Sequence, residues 1–339
     1  MNTIFPTTEL KTFLAELGLA NARLQRIQAG RNSRVWRVEN GDEIYIVKEY
    51  FRHPSDPRDR LETEFGFLSF LQSQGILHVP QPLARQTVGD RALYSYLPGS
   101  PVPVIQAEHI KQAATLIEQI NYCKADEKAQ QLPLASEACL NISEHLDRVK
   151  IRLTQLQTAV SDGTDEVRFA VRNLLTESLI PSYQKFKFNI HNQLSKNNDV
   201  SLNKTQQILS PSDFGFHNIL NFKSQLYFLD FEYAGWDDPA KLLCDFACQP
   251  ERPVTASQSI DFQAHLQHLE VFASAWRRTK LLLPLYRLKW CCILLNEFRS
   301  QERERRDHAG VDSTDRLHLQ LEKAQAYFKQ HLQEYNATY

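Results

Sequence analysis

Glycine is scarce in this chain, 11 residues in 339, which excludes glycine-rich repeats and low-complexity linkers. No sign of charge dominates either. The 39 Lys+Arg stand against 40 Asp+Glu for a net charge of −1, which argues against nucleic-acid binding by bulk electrostatics and against a polybasic or polyacidic tail. The six cysteines contain no CxxC, and although Cys244 and Cys248 stand one helical turn apart, no nearby histidine completes a metal set. They read as buried free thiols of a reducing cytoplasm. The longest apolar run, LLLPLYRLKWCCILL, is broken by Pro284, Arg287 and Lys289 and is too short to span a bilayer. The first residues lack the basic and apolar regions of a signal peptide, and no internal repeat is visible. The expectation is a cytoplasmic chain with no membrane partner.

What is present suffices for a core: 42% hydrophobic residues with 10% aromatics, over a length that fits two lobes. An amphipathic helix opens the chain near Thr8 to Leu17, with Phe13, Leu14 and Leu17 on one side. Residues 24–97 then read mainly as strands. LQRIQAG, SRVWRVEN and EIYIVKEYF are rich in β-branched and aromatic residues, and Asn40-Gly41-Asp42 supplies a hairpin turn. RLETEFGFLSFLQSQG has helical spacing with Gly75 as its stop, and LARQTVG and RALYSYL return to strand. From about residue 105 the apolar period becomes helical, as in Ile110, Ala113, Ile117 and Ile120. A compact strand-and-loop island, ILSPSDFGFHNIL to LYFLDFEYAGWDDP, interrupts the helices, which resume to the C-terminus.

The island carries the chemistry. Asp213 and Asn218 form D-x-x-x-x-N, and Asp230 follows inside the apolar strand LYFLDFE. A lone carboxylate in such surroundings is expensive, so it calls for a purpose. Phosphoryl transfer supplies one, since it needs a carboxylate to orient and deprotonate a hydroxyl and oxygen ligands for magnesium. The spacing alone is common, and Asp and Asn are also turn formers. Upstream, YIVK ends a strand at Lys48, in the position of the phosphate-binding lysine of the kinase template. Glu64 of the next helix lies beside the apolar stripe and can reach Lys48, whereas Glu62 faces elsewhere and ranks second. Gly30 stands between two strands, and with a single glycine there a phosphate-covering turn must lean on Asn32 and Ser33.

These segments in order, AGRNSRVWRV, YIVK, ETEFGFLSFL, LYSYLPG, SDFGFHNIL and LDFEYAGWDDP, resemble the aminoglycoside phosphotransferase and choline kinase family over residues 25–250. The resemblance implies an α+β, bilobal, protein-kinase-like fold. Residues 1–98 would form a small antiparallel-β N-lobe with one helix, and 99–339 a large, mainly helical C-lobe with its catalytic loop and metal-binding hairpin within 205–240. It implies ATP and Mg2+ as cofactors, Asp213 as catalytic base, and Asn218 and Asp230 as metal ligands. Lys48 would hold phosphates with Glu64 holding Lys48, and adenine would bond the backbone at Ser95 and Leu97. Asp245 matches an acid buried against the catalytic-loop backbone, and an exposed helix acid is the competing reading. The partner implied is a small hydroxyl compound.

One departure stands out. The family has histidine two residues before the catalytic Asp, and this chain has Pro211-Ser212-Asp213. A pseudokinase or scaffold is therefore the competing class. His217 reads as packing or surface, His265 and His268 near Glu270 as a solvated face, and RSQERERRDH as an exposed, salt-bridged helix end. Trp236, Trp276 and Trp290 could line a cationic pocket but more often pack. The final helix offers few carboxylates for a polycation, so an aminoglycoside acceptor is disfavoured and a sugar or polyol preferred.

Overall fold

A computed structural model describes residues 6–27, 32–54, 56–193, 200–310 and 315–333. Helix α1 (Thr8–Glu16) starts where the Thr7 hydroxyl accepts the Leu10 N–H, an N-cap that satisfies one of the free first-turn amides. Five antiparallel strands follow: β1 (Arg23–Ile27), β2 (Ser33–Asn40), β3 (Glu43–Tyr50), β4 (Pro82–Gln86) and β5 (Arg91–Ser95). Their spatial order is β1-β2-β3-β5-β4, with α2 (Arg60–Ser73) inserted between β3 and β4. The β2–β3 register runs to Asn40 opposite Glu43, so Gly41 and Asp42 form the turn, and Gly41 takes the positive φ of +62° that such a turn requires.

Alternation along these strands sorts the sheet into two faces. Trp36, Val38, Val47 and Leu93 bury one face under Leu10, Phe13 and Leu14 of α1. Leu17 was expected on that apolar side; it lies past the helix end, 38% exposed, and Leu10 takes its place. On the other face, Tyr50, Ala92 and Tyr94 pack with Leu61, Phe67, Leu68 and Leu71 of α2 in a core that continues into the C-terminal part. Lys48 points to this second face, two residues before Tyr50 and opposite Ala92.

Beyond β5 the chain forms β6 (Ser100–Pro101), α3 (Ala107–Tyr122), α4 (Glu127–Gln131) and α5 (Ile142–Val160). Helix α6 (Glu166–Leu174) runs through a wide turn into α7 (Ile180–Gln193). The island folds as β7 (Ile208–Ser210), β8 (Ile219–Phe222), β9 (Gln225–Phe228) and β10 (Gly235–Asp237). The β8–β9 hairpin pairs with β6, and β10 pairs with β7. Helices α8 (Pro239–Cys248), α9 (Ala256–Leu266), α10 (Glu270–Leu294), α11 (Ser300–His308) and α12 (Arg316–Phe328) complete the chain. A second core joins α5, α7, α8, α10 and α12, and it holds Cys244, Cys248, Cys291 and Cys292 as buried free thiols. The α+β architecture with an antiparallel N-terminal sheet and a helical C-terminal part is the one expected. Among the described residues no helix is long and apolar enough to cross a membrane.

The reading of RSQERERRDH as an exposed helix end is overturned. In α11, Glu302, Arg305 and Arg306 are buried, with Arg305 on Glu302, Arg306 on Glu297, and Arg316 on Glu297 at 2.8 Å. Alternating signs allow a segment to neutralise itself when it is dehydrated, so the pattern serves burial as well as exposure. The end of α11 also reaches the sheet: Arg34 Nε donates to His308 O at 2.8 Å and Arg26 Nη2 to Ala309 O at 2.9 Å. Carbonyls at a helix C-terminus carry partial negative charge, which favours those guanidinium groups.

Candidate active site

The sheet and the island meet at Lys48. Its Nζ donates to Glu64 Oε2 at 2.7 Å and to Asp230 Oδ1 at 3.0 Å. Burial alone would lower the proton affinity of this ammonium, but Asp230 and Glu64 reverse that and hold it well above the usual lysine range. Glu64 is itself fixed by the Tyr50 hydroxyl at 2.6 Å and by the Phe231 N–H at 3.2 Å, and Tyr50 shares a 2.7 Å hydrogen bond with Tyr94. Glu62 sits elsewhere, half in solvent and paired with Arg85 at 3.1 Å.

The loop after β7 turns sharply. Ser212 and Asp230 both have positive φ, +69° and +67°, a conformation costly for residues other than glycine and concentrated at functional sites. The Ser212 N–H donates to Ser210 Oγ at 3.0 Å, and the Ser212 hydroxyl accepts from buried Lys241 at 3.3 Å. These contacts hold the loop that lacks the family histidine. Asp213 is 30% exposed and pairs with His217 Nε2 at 3.3 Å. Burial works to raise its carboxyl, yet His217 outweighs burial and leaves it below the ordinary aspartate range. The Asn218 side-chain amide donates to the Asp213 carbonyl at 3.0 Å, which commits its nitrogen and leaves its oxygen as the free end.

Asp230 is pushed upward, first by burial and then by the Glu64 and Asp213 charges, against the opposing pull of Lys48. The field that raises a carboxylate in this way also draws a cation, so the oxygen donors Asn218 and Asp230 suit a hard divalent ion. Glu64, Asp230 and Glu232 bring carboxylate oxygens within 4.8 Å of one another. All three are already engaged, Asp230 by Lys48 at 3.0 Å. Glu64 serves Lys48, and Glu232 accepts from Asn32 at 2.9 Å and Ser33 at 3.3 Å, with Arg60 at 3.7 Å. Asn32 and Ser33 are thus tied to Glu232, while Gly30 lies outside the described residues.

Ser95 ends β5 with its N–H on Gln81 O and its hydroxyl accepting from Gln81 N, both at 2.9 Å, and Leu97 is buried just beyond. Gly99 has φ +126°, and a Cβ there would stand 2.8 Å from Asn221 O, so the link past Pro98 crosses β8 only as glycine. Asp245 is buried, which removes the exposed reading. Its partners are side chains and not loop backbone: Lys289 at 2.8 and 2.9 Å, Trp290 Nε1 at 2.9 Å and Lys241 at 3.6 Å.

Asp213, Asn218 and Asp230 line one cleft of about 820 Å3 that runs on past Lys241, Lys289 and Trp290. Of the three tryptophans considered for a cationic pocket, Trp290 alone lines it; Trp236 is buried in the core and bonds Ala129 O at 2.9 Å. His268 caps Glu118 at 2.7 Å, and the only metal-like cluster among the described residues is the one around Asp230.

Residues 23–282 match the model of the "Phosphotransferase enzyme family". The chain belongs to that family. No curated protein sequence is significantly similar to it. Among solved structures, a Plasmodium vivax ethanolamine kinase is similar at 13% identity and a TM-score of 0.61, covering 96% of this chain and 90% of that one. The choline kinase LicA of Streptococcus pneumoniae gives 13% and 0.60 over 96% and 100%. A gentamicin complex of the aminoglycoside phosphotransferase APH(2")-IIa gives 15% and 0.60 over 93% and 99%. The phosphotransferase family and the kinase-like fold read from the sequence are borne out.

Several residues that shape this phosphotransferase site escaped the sequence reading. Lys241 bridges Asp237 at 2.8 Å and Asp245 at 3.6 Å. Part of the signal was present in Lys241 and Asp245, four residues apart and so on one face of α8, whereas Asp237 meets Lys241 from the end of β10. Tyr50 and Tyr94 carried no such signal, because their meeting depends on strand register.

Proposed function

We propose that the chain transfers the γ-phosphate of ATP to a hydroxyl of a small molecule. The observation that carries this reading is Lys48 held jointly by Glu64 and Asp230, with Asp213 and Asn218 in the same cleft. Residues 1–98 would cover the nucleotide, with adenine against the backbone at Ser95 and Leu97, and 99–339 would carry the catalytic loop. Lys48 would bind the phosphates, and Glu64 positions it. The turn containing Gly30, Asn32 and Ser33 would close over them, which requires Asn32 and Ser33 to exchange Glu232 for phosphate oxygens. Asn218 and Asp230 would hold magnesium, which when bound neutralises charge on the transferring phosphoryl group.

Asp213 would orient the acceptor hydroxyl and take its proton. The acceptor oxygen bonds to the γ-phosphorus, the bond from that phosphorus to the β–γ bridging oxygen breaks, and ADP leaves. His217 would keep Asp213 ionised until the proton arrives. A phosphate-transfer screen over sugars, polyols and amino alcohols, read by mass shift, tests the proposal. Asp213→Ala should lower turnover by at least about 100-fold while sparing nucleotide affinity. Asp230→Ala should also weaken magnesium-dependent nucleotide binding. Full transfer by either variant refutes the assignment, and nucleotide binding without transfer to any acceptor favours the scaffold reading.

A further inference from the structure

The cleft is not neutral like the chain as a whole. Seven arginines and two lysines line it, against seven carboxylates that include Asp213 and Asp230. Those two acids belong to the phosphate-transfer end, so the remaining wall carries a marked excess of positive charge. Much of it is locked in pairs: Arg58 with Asp56 at 2.7 Å, Lys289 with Asp245 at 2.8 Å, Lys241 with Asp237 at 2.8 Å, Arg152 with Glu137, Arg305 with Glu302, and Arg306 with Glu297. Other cations face the space. Arg148 on α5 is exposed at the cleft, and Arg299, after α10, has among the described residues only long side-chain contacts, with Asn296 at 3.5 Å and Glu302 at 3.6 Å. Arg305, 8% exposed and already paired with Glu302, also donates to the Tyr233 hydroxyl at 3.1 Å, and among the described residues its Nε has no hydrogen-bond partner. Burial, joined by the guanidiniums of Arg152 and Arg305, makes it harder for Arg299 to hold its own charge, and Glu302 and Glu137 offset only part of that. Gathering cations in a partly dehydrated wall is unfavourable until an anion arrives, and the guanidinium fork is the side chain best shaped to receive an oxyanion.

We propose that the acceptor is anionic: a small hydroxyl compound that also bears an oxyanion, phosphate or carboxylate, seated on the wall formed by Arg148, Arg299 and Arg305. This rests on the phosphotransferase reading above and gives it a substrate class. The same wall repels a polycation, and of the Trp290 and Tyr233 rings that line it the second already lies under Arg58 and Arg60, where a quaternary ammonium would need several open rings.

The test compares matched acceptors in the intact protein with magnesium and ATP: glucose with glucose 6-phosphate, glycerol with glycerol 3-phosphate, glucose with glucuronate, and ethanolamine and an aminoglycoside as cations. The phosphate and carboxylate arms identify the oxyanion. Calorimetric titration of glucose 6-phosphate and glucuronate into protein saturated with a non-hydrolysable ATP analogue reads the inference without turnover. The expected result is at least tenfold preference for an anionic member over its neutral counterpart. Arg299→Gln and, separately, the exposed Arg148→Gln should each erase most of that preference while leaving the KM for ATP unchanged. Transfer to neutral or cationic acceptors with no preference for the anion overturns the inference and leaves the kinase reading standing. Anion binding without transfer to any acceptor refutes the kinase reading and with it the anionic acceptor, leaving only an oxyanion site. Failure of every anion to bind overturns the inference.

Discussion

Replacing Glu64 by glutamine changes one charge and almost no shape, and the surroundings of this side chain turn that small change into a large effect. Three groups converge on the carboxylate, the Lys48 ammonium and Tyr50 hydroxyl on one oxygen and the Phe231 N–H on the other. All three approach as donors. A glutamine offers a single acceptor, so whichever way its amide turns, its NH2 meets a donor. The cheaper orientation keeps the oxygen toward Lys48 and Tyr50 and leaves the Phe231 N–H unsatisfied in a buried place. That costs about 1–3 kcal/mol, and weakening the charge-assisted bond to Lys48 adds about 1 kcal/mol. The expected loss for Glu64→Gln is therefore about 2–4 kcal/mol. Two positions away, Glu62→Gln makes the same chemical change at a pair that is 41% exposed on both sides, where about 0–1 kcal/mol is at stake. Urea unfolding of the two variants, followed by circular dichroism, measures the difference directly, and the KM for ATP should rise in Glu64→Gln alone. Equal stability of the two variants within about 0.5 kcal/mol would show that Glu64 is not the carboxylate that organises this site.

Three further outcomes follow from the interior of the C-terminal part. His145 is buried, with Nε2 on Asp238 at 3.1 Å and Nδ1 on the Tyr286 hydroxyl at 2.7 Å; burial opposes its charge, but Asp238 lifts its pKa to about 9 from the ordinary 6.5. A raised folded-state pKa contributes stability that is full below pH 6.5 and lost as pH rises through 9, a span worth up to about 3 kcal/mol. Unfolding measured from pH 6 to pH 9.5 should show this loss, and His145→Gln should flatten it; an unchanged slope removes His145 as its source. Lys241→Met strips the buried Asp237 carboxylate of its cation and should cost about 3–5 kcal/mol, with Asp237→Asn recovering part of the loss in the double variant. Simple additivity of the two changes would refute their coupling. Gly235→Ala puts a Cβ 2.5 Å from Ala135 N and Pro133 O, both backbone, so the melting temperature should fall by several degrees and the β7–β10 pairing should loosen; an unchanged melting temperature contradicts the packing.

The fold was legible where one period dominates. Strand alternation marked β2, β3 and β5, Gly41 and Gly75 marked turns, and Ile110, Ala113, Ile117 and Ile120 marked the buried face of α3. The choice of Glu64 over Glu62 also followed from helical spacing, because only Glu64 shares the buried side of α2. The remainder depended on contacts between distant segments. Asp245 could be read as buried or exposed, since its burial is settled by Lys289 and Trp290 some 44 residues later. In α11 the alternating charges suited water and self-neutralising burial equally, and the packing of α11 against β2 decided between them. The cationic wall was invisible for a similar reason: a net charge of −1 says nothing of where the charges gather.

The attachment of α11 to the sheet has a mechanical consequence. The N-terminal sheet and α2 meet the helical part through the covalent link at 96–99, through Lys48, Glu64 and Ser33 on residues 230–232, and again through Arg26 and Arg34 on the carbonyls of Ala309 and His308. A body joined by one flexible strip can swing in any direction, whereas a body pinned at two places turns only about the line between them. Any parting of the sheet from residues 230–232 must therefore turn about the line from 96–99 to the α11 contacts for as long as both guanidiniums hold. The last eighth of the chain, from α11 onward, thus sets one end of that line, and its loss would remove this pin while leaving Lys48, Glu64 and residues 213–230 in the chain.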